Sequence, residues 1–227
     1  MEDLEQYLQP SKFFNFDNKY VKEKALEITK GLKNDKERAV ALFYFVRDKI
    51  KYNMLTYLPK FPSNFKASTT LRRRHGFCLS KAILLATLAR AVGIPARVHV
   101  VDIINHKISQ RVIDLMGTKA FYGHGYGELY INGKWLSLSP NFDKESALKG
   151  GFLPMTEFNG EDDALFPHYD EDGNLFVEYI GDRGSHADID LEEIDRVFVE
   201  KYTKWYTDFS FFKNRIKIKK DPLTLNK

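Results

Sequence analysis

One cysteine, Cys78, serves the whole chain of 227 residues, which excludes an internal disulfide framework and a cysteine-rich metal site. No stretch approaches the ~20 apolar residues that a membrane-crossing helix needs. The opening Met-Glu-Asp-Leu-Glu-Gln is acidic and has no apolar centre, unlike a secretory signal. Charge of one sign is also scarce. Against 31 Asp and Glu stand 35 Lys and Arg, a net charge of +4, too mild to argue for nucleic acid. The acidic loops around Asp162 and Asp170 lack a calcium-loop pattern. The expectations are therefore a cytoplasmic protein with no metal or other cofactor, no nucleic-acid partner and no membrane. The sequence is silent on oligomeric state.

Apolar residues make up 43% and aromatics 14%, with 18 Phe and 12 Tyr, the composition of a well-packed globular chain. There is no internal repeat, low-complexity tract or clear linker. One domain over residues 1–227 is expected, with an N-terminal helical part (1–55), a core (66–145), and C-terminal loops, helix and edge strand (146–227).

Val21, Ala25, Ile28 and Leu32 fall at helical spacing. Asn34 to Glu37 has capping-box form and opens a second helix with Ala39, Leu42, Phe43, Val46 and Ile50 on one face. Residues 51–68, with Pro59 and Pro62, read as loop. Ala96 to Ile104 reads as a strand, His106 to Thr118 as an insertion with helical character, Asn174 to Ile180 as a short strand. Leu191 to Trp205 reads as a helix with Asp190 as N-cap. Arg215 to Lys220 alternates basic and apolar residues, as in an edge strand guarded by lysines.

The stretch from Arg72 to Arg97 organises the rest. After Arg-Arg-Arg-His-Gly-Phe comes Cys78, then a run apolar nearly all round from Ala82 to Val92, the mark of a buried helix. Gly93 ends it and Pro95 prevents its resumption. A thiol in the first turn of a helix feels the positive end of the macrodipole, which lowers its pKa. The plain alternative is a small buried hydrophobe. The three arginines are either a solvated turn or an attractor of anionic substrate.

An activated cysteine needs a base and a group that orients the base. His75 lies close enough in sequence to act electrostatically. His124 sits in a strand among Gly123, Gly125 and Gly127, which leave room for close approach of another backbone. Asn132-Gly133 between alternating segments is a two-residue hairpin signal. Ile131 then faces Lys134 and, counting outward, His124 faces Asn141, with Ser139 and Asp143 diagonal to it on the same side. Glu128 shares that face and is expected to pair with Arg97 or one of Arg72 to Arg74.

Thr70-Leu71 through Gly76-Phe77-Cys78, and then Leu84 to Arg97 ending in Gly-Ile-Pro-Ala-Arg, resemble the core of the transglutaminase-like superfamily. His124-Gly-Tyr-Gly-Glu128 with Asn132-Gly-Lys-Trp135 resembles its second block, so that the likeness covers about Thr69 to Asp143. A weaker likeness to a bacterial and archaeal subgroup extends over Phe158 to Leu165 and Glu178 to Gly184. The resemblance implies an α+β, papain-like fold, with a cysteine-bearing helix packed on an antiparallel sheet and helices N-terminal to it. Cys78 maps to the nucleophile, its backbone N–H to half of an oxyanion hole, and His124 to the base. Where the family has Trp after His this chain has Tyr126, an aromatic wall for substrate. Where the family commonly has Asp-Pro this chain has Ser139-Pro140. Asp143 is the expected third residue, with Ser139 and Asn141 as alternatives.

The function so implied is acyl transfer from a protein, peptide or amide substrate through a Cys78 thioester, with hydrolysis favoured over transamidation. The alternative is a catalytically degenerate member of the same fold that serves as a binding or interaction module.

Overall fold

The apolar run after Cys78 forms α4, Cys78–Ala91, in which every residue from Cys78 to Arg90 is buried. In this computed structural model, which describes residues 3–57, 61–153 and 155–205, α4 is the centre of the core. It packs against three helices that precede it, α1 (Lys19–Ile28), α2 (Asp35–Lys49) and α3 (Ala67–Arg73), and against strands β3 (Ala96–Asn105) and β4 (Ala120–Ile131). A helix buried on all sides cannot be amphipathic, which is why its sequence carries no polar stripe.

The sheet is antiparallel, in the order β5-β4-β3-β6, where β5 is Lys134–Leu138 and β6 is Val177–His186. Asn132 and Gly133 take φ of 51° and 84°, the left-handed pair that a two-residue hairpin loop demands. The register follows from that turn: Ile131 pairs with Lys134, and the ladder runs to Gly127 opposite Leu138. A separate two-stranded parallel ladder joins β1 (Lys51–Tyr52) to β2 (His75–Gly76) just before α4. The fold is that expected from the resemblance: an α+β chain with the cysteine at the head of a helix on an antiparallel sheet.

Local signals held at several ends. Asn34 caps α2 by accepting the Glu37 N–H at 2.9 Å. Glu37 reaches back to the N–H of Lys33 at 2.9 Å and not to that of Asn34. Asp190 caps α7 (Leu191–Lys201) through the N–H groups of Glu192 and Glu193. Three parts differ from expectation. Residues 67–73, partly assigned to loop, are α3, and α6 (Lys144–Gly150) was not foreseen. Strand β6 runs on past Ile180 to His186, because β3 offers it a partner along its length. The insertion 106–118 contains α5, Gln110–Met116. The edge strand expected at Arg215 to Lys220 lies outside the described residues. Among the described residues no helix is long and apolar enough to cross a membrane.

Candidate active site

Cys78 is the first residue of α4 and is 8% exposed. The turn before it is fixed by Ser80, whose hydroxyl accepts the Phe77 N–H at 3.0 Å. A side chain at Gly76 would lie 2.4 Å from that hydroxyl, so only glycine fits. Across the interface, a Cβ at Gly125 would lie 2.5 Å from Leu79 Cδ1 and 3.0 Å from Leu79 Cα. The bare backbone of β4 therefore lets the head of α4 come close. The N–H groups of Gly125, Leu79 and Cys78 all act on the sulfur to lower its pKa, but burial outweighs them and pushes the Cys78 thiol up. Placement at a helix start alone predicts a lowered pKa; desolvation reverses the sign.

His124 pairs with Val101 across β4 and β3 and is 4% exposed. It lines the same cavity as Cys78, together with Tyr52, Tyr57, Tyr202 and Trp205. The free space there is only about 20 Å³. Burial lowers the His124 pKa to about 4, so thiol and imidazole are both neutral at pH 7.

Asn141 is the residue on the imidazole: its Nδ2 lies 3.2 Å from His124 Nε2. The amide is fully buried, and its Oδ1 has no partner among the described residues. Asp143, the expected third residue, is engaged elsewhere. It caps α6, accepting the N–H of Ser146 at 3.1 Å and its hydroxyl at 2.7 Å, and it accepts the Tyr52 N–H at 2.9 Å. Burial works to raise the Asp143 carboxyl, but those bonds and the charge of Lys81 bring it below the ordinary range. An Asp two residues past the Asn is a helix cap first. Ser139 likewise misses the ring. Its carbonyl accepts the Thr156 hydroxyl at 2.8 Å, and its own Oγ is buried without a partner among the described residues.

Tyr126 does not line the thiol cavity. Its ring stacks on His99 with centroids 4.9 Å apart and planes 4° from parallel, and it borders an open cleft with Phe166, Tyr179 and Asp182. Glu128 pairs with Arg97 at 2.6 Å, as one of the expected alternatives had it. Arg72, Arg73 and Arg74 are exposed, and Arg73 donates to Asn64 at 2.7 Å.

Two neighbours were missed in the sequence. Lys81, one turn after Cys78, is fully buried and donates from Nζ to the carbonyls of Ile50 and of Arg47, the latter at 3.2 Å. Burial lowers its pKa to about 7, with the charges of Asp143 and Asp48 opposing. A lysine in the first turn of an otherwise apolar stretch is the available signal. Tyr52, held at its N–H by Asp143, falls in a stretch that the sequence presents as loop. Among the described residues no group of three or more His, Cys, Asp or Glu is arranged to hold a metal ion.

The family profile of the transglutaminase-like superfamily matches residues 22–140, just over half of the chain. The chain belongs to that superfamily. A search of curated proteins finds no match. Among solved structures it is similar to a candidate cysteine protease from Cytophaga hutchinsonii (20% identity, 84% of this chain and 58% of that one, TM-score 0.48). It is also similar to the periplasmic domain of TgpA from Pseudomonas aeruginosa (21% identity, 61% and 48%, TM-score 0.43). A third is a candidate protease from Parabacteroides distasonis (19% identity, 59% and 24%, TM-score 0.39). The chain thus spans less than two thirds of the length of each of these three relatives.

Proposed function

We propose that this chain is a cysteine-dependent acyl-transfer enzyme acting on a peptide or carboxamide bond, with water as the usual acceptor. The observation that supports it most is that Cys78 and His124 line one cavity while Asn141 engages His124 Nε2. With Nε2 committed to the amide, Nδ1 is the nitrogen left to exchange a proton with Sγ. When the imidazole is charged, Nε2 carries a proton and needs an acceptor. With the amide turned end for end, Oδ1 accepts the Nε2–H of the neutral ring, whose Nδ1 is then free to take a proton, and of the charged ring alike.

In the His124 tautomer whose Nε2–H donates to Asn141 Oδ1, Nδ1 is unprotonated; Sγ gives its proton to it and attacks the carbonyl carbon. The developing oxyanion takes the Cys78 backbone N–H and the hydroxyl of Tyr52, a residue of the same cavity wall. Collapse breaks the C–N bond, the Nδ1 proton goes to the departing amine, and a thioester remains. His124 then takes a proton from water, whose oxygen adds to the thioester. Sulfur leaves with that proton, and a carboxylic acid is released. Transamidation would substitute an amine for water and would need a second channel to admit it.

A second reading, a binding module without turnover, draws on the absence of any carboxylate bonded to His124 among the described residues and on its pKa of about 4. The pH profile of Cys78 alkylation by iodoacetamide, read by intact mass, separates them. Alkylation at pH 7 that slows in His124→Ala supports the enzyme. A profile unchanged in His124→Ala favours the module instead.

A further inference from the structure

The thiol cavity has a cover. Tyr202 and Trp205, just beyond α7, are 2% and 6% exposed and form part of the cavity wall. Tyr57 is the ring they rest on, with centroids 6.0 Å away for Tyr202, 6.1 Å for Trp205 and 5.1 Å for Phe198. The Tyr202 hydroxyl accepts the Tyr122 N–H at 2.6 Å and donates to the Tyr122 carbonyl at 3.2 Å. Tyr122 is two residues before His124. The last turn of the described chain is thus latched to the strand that carries the base.

The seat of this cover is imperfect. A second cavity, of about 40 Å³, lies between the underside of α7 (Ile194, Val197) and Tyr57, Val100 and Gly123. Asp195 Oδ1 is buried without a partner among the described residues, so its desolvation is not compensated. The ion pair from α7 to β6, Arg183 to Glu193, is long at 3.8 Å. A helix docked on voids and an orphaned carboxylate oxygen belongs to the low-stability end of a fold.

No substrate fits the remaining 20 Å³, which is room for about one water molecule. We propose that α7 and Tyr202–Trp205 form a displaceable cover, and that the two aromatic side chains occupy the subsite of the substrate's own acyl-side residue, which is therefore large and aromatic. This deepens the reading of Cys78 as nucleophile and rests on it. The walls left when the cover lifts include Tyr57, Phe77, Met54, Met116 and Phe121. Among the described residues no Asp, Glu, Lys or Arg lines that cavity. A charged side chain would be desolvated there without a partner, whereas an aromatic ring buries about 150–250 Å² and methionine walls adapt to its shape.

The test reads thiol access and not turnover. Cys78 Sγ displaces chloride from N-acetyl-phenylalanine chloromethyl ketone or from its alanine counterpart, forming a C–S bond scored by intact mass. In the full chain both reagents react slowly. Trp205→Ala and Tyr202→Ala are expected to speed the phenylalanine reagent by about tenfold or more, and the alanine reagent by clearly less, as expected when local opening is made easier. Tyr202→Phe keeps the ring and removes the latch, so a smaller gain in the same direction is expected from a variant that packs as before. Rates equal to those of the unaltered chain in all three variants would overturn the cover. Equal acceleration of both reagents would overturn the aromatic subsite. Failure of the catalytic reading shows elsewhere, as a pH profile indifferent to His124→Ala.

Discussion

Asn141 Nδ2 stands 3.2 Å from His124 Nε2, in the place where a carboxylate was expected. An amide orients an imidazole but brings no charge to hold it protonated. Burial is then unopposed, and the His124 pKa falls to about 4. Asn141→Asp should raise it, which the pH titration of the imidazole Hε1 resonance would record. Asn141→Ala should cost about a hundredfold in kcat, since the ring is free to turn. An unmoved resonance in Asn141→Asp would mean that the contact carries no electrostatic weight.

Asp143 holds Tyr52 and not the base. Asp143→Asn is therefore expected to leave the His124 titration where it is and to lower stability by about 1–3 kcal/mol through its bonds to Tyr52 and Ser146. Thermal unfolding and the imidazole titration, measured together, check this. A shift of the His124 pKa would place the carboxylate back in the catalytic arrangement.

If the Tyr52 hydroxyl takes the oxyanion, Tyr52→Phe should lower kcat by about 10²-fold and leave KM nearly unchanged. Steady-state kinetics on a model amide would show the split; a change confined to KM would assign Tyr52 to binding.

Gly125→Ala should loosen the head of α4. The added methyl meets Leu79 at 2.5 Å on the side chain and 3.0 Å on the Cα, and the backbone contact has no rotamer to relieve it. A loss of about 1–3 kcal/mol is expected, seen as a lower Tm. An unchanged Tm would mean that helix and strand are not tightly opposed there.

Glu128 should make the fold sensitive to acid. Burial works to raise its carboxyl, but bonds from His99, Ser185 and Arg97 and the Arg97 charge lower it from 4.5 to about 2. A carboxyl lowered on folding stabilises above its unfolded value, and that contribution is lost as pH falls from about 4.5 towards about 2; here it is worth about 3 kcal/mol. Urea midpoints in Glu128→Gln should lie below those of the unaltered chain at pH 7, and the gap should close towards pH 2. A constant gap would assign the loss to packing.

The hairpin, the buried helix and the Cys78 and His124 positions were legible because each rests on local rules: a left-handed turn pair, a run apolar nearly all round, a glycine-flanked strand. The third residue was not. The ladder ends at Gly127 opposite Leu138, and beyond it strand alternation no longer says which side chain turns inward. Counting nevertheless put Asn141 opposite His124, while Asp143 carried the competing signal of Asp-Lys-Glu-Ser146, an N-cap with its helix. Tyr126 went astray because stacking on His99 is a tertiary fact. The seat of Tyr202 and Trp205 was equally hidden, since amphipathic spacing gives a helix a face but not a partner.

Keeping the sole thiol covered also has a chemical consequence for the age of the molecule. Oxidants attack the thiolate and need contact with sulfur. A protonated Cys78, 8% exposed beneath aromatic rings, is a poor target for peroxide. If the cover opens as proposed, the closed form is a storage form that keeps the sulfur reduced, and each opening would expose it to substrate and to damage alike.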